Sequence, residues 1–126
     1  MKKFIAIALV ASVSMSAASA QDVQENLRQT ANKVIEAFQK HDYKTFVSYF
    51  DDTMKKSMTE EQVKIVWEQQ IVGAVGKFVK ADTDDIKVSS QGGYDILLIP
   101  CTFEKTKLNM QLAFNKDGQI SGWYFK

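Results

Sequence analysis

The sequence predicts an α+β domain in which three N-terminal helices pack on a curved, four-stranded antiparallel sheet, behind a cleaved signal peptide. Three observations predict it. From Asp22 to about Gly76, apolar side chains recur every three or four residues, the period of a helix with one buried stripe. From Lys77 onward they alternate, the period of a strand with one buried face. Gly92-Gly93 and Asp117-Gly118 are two-residue turn signals that divide this second half into hairpins. Helices first and strands afterwards is the order of a helical layer laid on an antiparallel sheet.

The first element is an address. Lys2 and Lys3 precede an apolar run from Phe4 to Val13, and small residues end at Ala18-Ser19-Ala20 before Gln21. This pattern reads as a secretory signal with cleavage after Ala20. About ten strongly apolar residues are too few for the roughly 20 of a spanning helix, so no membrane span is expected in the mature form. The protein is therefore expected to be exported, to the periplasm or outside a bacterial cell, with residues 21–126 as one domain. Loss of Lys2 and Lys3 takes the sixteen basic side chains to fourteen, against fifteen acidic ones. A near-neutral chain with no basic cluster among aromatics gives nucleic acid no phosphate footprint. Cys101 is the single cysteine, so no disulfide forms within the chain and the core must supply stability.

The helices follow in order. Val23, Leu27, Ala31, Val34 and Phe38 form one stripe from Asp22 to about Lys40. Asp42 is placed as the N-cap of a short second helix carrying Tyr43, Phe46, Val47 and Phe50, and "DDTMKKSM" is read as a break. Thr59 and Gln62 have capping-box spacing and announce a third helix with Val63, Val66, Trp67, Ile71 and Ala74 inward, ending near Gly73 or Gly76.

The strands can be tested against one another, because a one-residue slip moves every side chain to the other face. A two-residue turn at Asp117-Gly118 pairs Phe114 with Ser121, Leu112 with Trp123 and Met110 with Phe125. Gly92-Gly93 sets Val88 opposite Leu97 and Ile86 opposite Ile99. A turn at Lys105-Thr106 sets Phe103 opposite Leu108 and Cys101 opposite Met110. The helix-facing side is then almost wholly apolar. The other side is mixed, with an apolar cluster of Ile96, Leu98, Ala113 and Ile120 expected to serve a homodimer.

The order of elements resembles the nuclear transport factor 2-like, cystatin-like cone fold. More narrowly, "HDYKTFVSYFD", "TEEQVKIVWEQQIVGAVGKF" and "FNKDGQISGWYF" resemble the bacterial family known as domain of unknown function 3887. The resemblance spans nearly all of residues 21–126, but on helix stripes, a Gly-Lys-Phe junction and a D-G hairpin, which are marks of fold. It implies exported proteins, or modules that accompany other domains including hydrolases, and a cone whose helix-facing sheet borders a cavity. It also implies pairing of domains through their sheets.

Chemistry is sparse. His41, the one histidine, stands beside Asp42 and reads either as a general base or as a helix-end residue. Cys101 has only apolar predicted neighbours, which do not activate a thiol. "DTDD" at 82–85 and "DD" at 51–52 lack the spacing of a calcium loop, and there is no nucleotide-binding glycine pattern, nucleophile elbow or zinc-ligand set. No cofactor, metal or catalytic constellation is expected. The expected function is an exported binding or interaction domain for a small apolar ligand, its pocket drawn from Trp67, Phe103, Met110, Leu112, Trp123 and Phe125. Two alternatives stand beside it: a small hydrolase- or isomerase-like enzyme using His41 with Asp42 or Asp51, and an accessory module docking on another envelope protein.

Overall fold

The computed structural model describes residues 24–126. The signal-peptide expectation and Val23 lie outside these residues. An α+β arrangement is observed, with helical segments followed by an antiparallel sheet.

Helix α1 covers 24–39 and buries Leu27, Ala31, Val34, Ile35 and Phe38. Arg28 donates from its guanidinium to the Ile86 carbonyl at 3.3 Å, tying this helix to the sheet. The helix closes in a Schellman turn. The Asp42 N–H bonds the Ala37 carbonyl at 2.7 Å, the His41 N–H bonds Phe38 at 3.2 Å, and His41 has φ 58°. Asp42 then caps α2 (Tyr43–Ser48) as expected, accepting from the Thr45 N–H and hydroxyl, and these bonds lower its carboxyl below the usual range.

The predicted break is a helix, α3 (Asp52–Ser57), because Asp51 accepts from the Met54 N–H at 2.8 Å and starts a new turn. Thr59 and Gln62 form the predicted capping box of α4 (Glu60–Ile65). Beyond α4 the ladder widens to a π-helical segment, Val66–Ile71, in which the Val72 N–H reaches back five residues to the Trp67 carbonyl. The extra residue shifts the phase of the stripe. Val63 and Trp67 are inward as predicted, whereas Ala74 is exposed and Val72 and Val75 of α5 (Val72–Val75) pack instead.

The sheet contains β1 (Phe78–Ala81), β2 (Lys87–Gln91), β3 (Tyr94–Phe103), β4 (Lys107–Phe114) and β5 (Ile120–Phe125). The central pairings are β3 with β4 and β4 with β5, while β1 and β2 share the other edge of β3 at its opposite ends. Strand β1 was not predicted. It is short, pairs with Phe103, Thr102 and Cys101, and is divided from β2 by a 3-10 turn at Thr83–Asp85.

Register divides the predictions sharply. Val88 faces Leu97 as expected from the Gly92-Gly93 turn. Between β3 and β4 the expected pairing is off by two residues, Cys101 facing Leu108 and Ile99 facing Met110, because the turn is centred one residue earlier, on Glu104 and Lys105, with the Phe103 N–H bonding the Thr106 carbonyl at 2.8 Å. A shift of two keeps every side chain on its predicted face. Leu97, Ile99, Cys101, Phe103, Met110, Leu112 and Phe114 are accordingly all buried.

The last hairpin behaves differently. Leu112 faces Trp123 and Met110 faces Phe125, as predicted, but Phe114 faces Ile120 across a bulge. The loop holds three residues, not two: Asn115 accepts from Asp117 and Gln119 through its side chain, and Gly118 has φ 78°. The bulge at Ser121 cancels the extra loop residue, so register is restored only beyond it. Ile120, expected on the outer face, is consequently turned inward and fully buried. Its N–H bonds the Tyr49 carbonyl at 2.7 Å, and its carbonyl accepts from Asp51. The Ser121 hydroxyl donates to Asp51 at 2.6 Å, and this bond is the main cause of the lowered Asp51 carboxyl.

The core between the layers is rich in aromatics. Phe38 packs on Trp67 with centroids 4.3 Å apart and on Trp123 at 5.6 Å, and Phe46 meets Trp123 at 5.1 Å. The Trp123 indole N–H is buried without a hydrogen-bond partner. Cys101 lies within this core, and burial pushes its thiol up to about 11. Native protein at pH 8 is expected to resist a thiol reagent and to react once unfolded in denaturant, as followed by mass spectrometry of the labelled chain. Labelling of the native protein at the denatured rate contradicts this burial.

Candidate functional site

The described surface has two concavities that meet at His41. The first has a volume of about 560 Å³ and is lined by the polar residues His41, Tyr43, Glu60, Glu61, Lys64 and Glu68. The second encloses about 420 Å³, with Phe38, Trp67, Val72 and Phe78 as its apolar wall and Gln39, His41 and Lys77 at its rim. The first lies between the end of α1, the start of α2, α4 and the π-helical segment, and the second where the C-terminal turn of α1, the π-helical segment and the entry to β1 converge. Volumes of this size suit a small organic ligand.

Local irregularities place the polar groups. The Schellman turn leaves His41 in the left-handed region, projecting from the end of α1. The π-helical segment carries Trp67 on its buried side and Glu68 on the half-buried side next to it; such segments are frequent at functional sites. Tyr43, from the first turn of α2, joins the two. Its hydroxyl donates to Glu68 Oε2 at 2.5 Å, and His41 Nδ1 lies 3.1 Å from the same hydroxyl oxygen. His41 Nδ1 is 3.9 Å from Glu68 Oε2. Burial, followed by the hydrogen bond and charge of Glu68, raises the Tyr43 phenol above its ordinary range, so it acts as a neutral hydrogen-bonding link.

The expected site residues divide accordingly. Trp67 stands on the wall of the aromatic groove. Phe103, Met110, Leu112, Trp123 and Phe125 are not on that wall and pack in or against the core cluster. The carboxylates proposed for His41 are used elsewhere: Asp42 caps α2 and Asp51 caps α3. The acid that reaches His41 is Glu68, which sequence spacing did not single out. Its nearest sequence signal is its place beside Trp67, but the π turn that aims it was not legible. On the outer sheet face, Ile96 pairs with Ala113 and Leu98 with Gln111, all half-buried, whereas Ile120 is absent from that surface.

Among the described residues, no three His, Cys, Asp or Glu side chains come together as a metal site, and no helix is long and apolar enough to cross a membrane. The fold and site define a small α+β domain whose helix ends, not its sheet, supply the ionisable groups of an open groove. The chain belongs to the family described as Protein of unknown function (DUF3887), whose model matches residues 31–123. No curated protein and no solved structure matches it.

Proposed function

We propose that the protein is an exported binding domain of the cone type, matured to Gln21, that holds a small ligand in the groove walled by Phe38, Trp67, Val72 and Phe78. One observation carries this: a ring-sized concavity with an apolar wall and only three polar groups, Gln39, His41 and Lys77, at its rim. That mixture of much apolar surface and few polar contacts is what a small-molecule site requires. Buried aromatics of both layers fix Trp67, Phe38 from α1 and Phe103 from β3. The experiment is a titration of toluene and naphthalene followed by the Trp67 indole 1H–15N cross-peak. Saturable movement of that peak is expected, with little change at Trp123. If neither compound moves it, the groove is not a binding site.

A homodimer through the outer face is proposed on Ile96, Leu98 and Ala113, which remain half-buried on that side of the sheet. A Leu98→Lys variant is expected to halve the mass in light scattering, and a concentration-independent monomer in the parent removes the proposal.

A second reading, a small hydrolase or isomerase, is favoured by the hydrogen-bonded chain from Glu68 through Tyr43 to His41. In it His41 is the general base and Glu68, not Asp42 or Asp51, is the carboxylate behind it.

A further inference from the structure

We propose that the groove selects a neutral or cationic ring compound bearing a hydrogen-bond donor, and that His41 Nε2 is the atom that selects it. This rests on the groove being the ligand site.

A single hydrogen sets the tautomer of His41. A phenol has a single O–H, and that of Tyr43 is directed at Glu68 Oε2, 2.5 Å away. Toward His41 Nδ1, at 3.1 Å, the Tyr43 oxygen can therefore only accept. A neutral imidazole also has a single N–H, so Nδ1 must carry it and Nε2 is left with a lone pair. The charge around His41 points the same way. Glu68 is 3.9 Å from its Nδ1, and Glu60 and Glu61 share the adjoining concavity with Lys64 as the only cation there. Lys77 lines the aromatic groove together with His41. A donor, charged or not, is complementary to the Nε2 lone pair of an imidazole with Glu68 behind it, and a carboxylate, which has no hydrogen to donate, is not.

The backbone gives an independent reason to assign His41 a role. Position 41 is the C′ residue of a Schellman turn, where glycine is favoured because a side chain is strained at φ 58°. Packing does not explain the histidine, since its side chain is 69% exposed. A strained, exposed side chain held by a hydrogen-bonded neighbour is the kind of departure that persists at ligand sites.

Two measurements test this. Long-range 1H–15N spectra at pH 8 are expected to show His41 protonated at Nδ1 in the parent, and a mixture of tautomers in Tyr43→Phe and Glu68→Gln. Titrations with p-cresol, 4-methylanisole and 4-methylbenzoate share a ring and differ in the polar group. Following the Trp67 cross-peak, p-cresol is expected to bind roughly two- to twelvefold more tightly than 4-methylanisole, the span of one hydrogen bond, with 4-methylbenzoate weakest. His41→Gly is expected to raise the melting temperature and erase the difference. A proton on Nε2 in the parent, equal affinities for the three, or a preference that survives in His41→Gly each overturns the assignment. Equal affinities with movement of Trp67 leave the groove standing and remove only the selectivity. If p-cresol and toluene both leave Trp67 unmoved, the groove and the selectivity fall together.

Discussion

Ile120→Lys is expected to unfold the protein or bring it close to unfolding. Ile120 has no exposed surface and packs in the aliphatic and aromatic core. Removing a buried isoleucine costs about 2–5 kcal/mol, and a lysine in its place must also bury or drag out a charged amine. Together these remove about 4 kcal/mol or more, a large part of the 5–15 kcal/mol typical of a domain. The control is Ile96→Lys, a half-buried outer-face residue two strands away, expected to change monomer stability far less. Chemical denaturation of both variants decides the matter. If Ile120→Lys is as stable as Ile96→Lys, the bulge at Ser121 is absent and Ile120 belongs to the outer face.

Gly76→Ala is expected to cost about 3 kcal/mol, while Gly73→Ala, three residues earlier, is expected to stabilise. Gly76 ends α5 with φ 89° and ψ −176°, a region essentially closed to residues with a Cβ and strained by about 1–3 kcal/mol when one is forced there. An added Cβ would also lie 2.7 Å from Glu104 Cβ. Glu104 has little freedom to retreat. Its carboxylate accepts from the Lys77 N–H at 2.7 Å, its own N–H bonds Lys77, and Lys105 bonds Val75, so the helix exit is clamped to the β3–β4 loop. Gly73 is helical, and its nearest neighbour to a Cβ is the Glu68 carbonyl at 3.6 Å. There alanine should add about 0.5–1 kcal/mol by restricting the unfolded chain. The opposite signs are read directly as shifts of the two melting temperatures in opposite directions. Equal shifts would show that Gly76 is not in the left-handed conformation.

These two predictions mark what sequence could and could not supply. Thr59 with Gln62, Asp42 before Tyr43, and Gly92-Gly93 each act through bonds to residues at most a few positions away, and each was found where its spacing placed it. Ile120 was misplaced by a single residue. Asp117-Gly118 is equally compatible with a two- and a three-residue loop, and the choice depends on Asn115 bonding within the loop and on Tyr49 and Asp51 pairing with the start of β5.

Among the residues of the two concavities, Trp67 could be named from its helix stripe, His41 as the one histidine, and Tyr43 from its place after the Asp42 cap. Glu68 could not. On an ordinary α-helix it is one polar residue among Glu60, Glu61, Gln69 and Gln70. It reaches Tyr43 from a segment whose hydrogen bonds have widened to five residues.

By itself the sequence determined the helical first half, the antiparallel second half and which face of β3 and β4 is buried. Those properties depend on the 3.6- and two-residue periods, which are local and survive a register error of two. Only the tertiary structure decided where the bulge falls, that Asp51 starts a helix and bonds Ser121, and that His41, Tyr43 and Glu68 meet at one groove. Contacts spanning two to seventy residues fix those features, and no local period encodes a choice that is made only when distant segments compete for the same hydrogen bonds and the same buried volume.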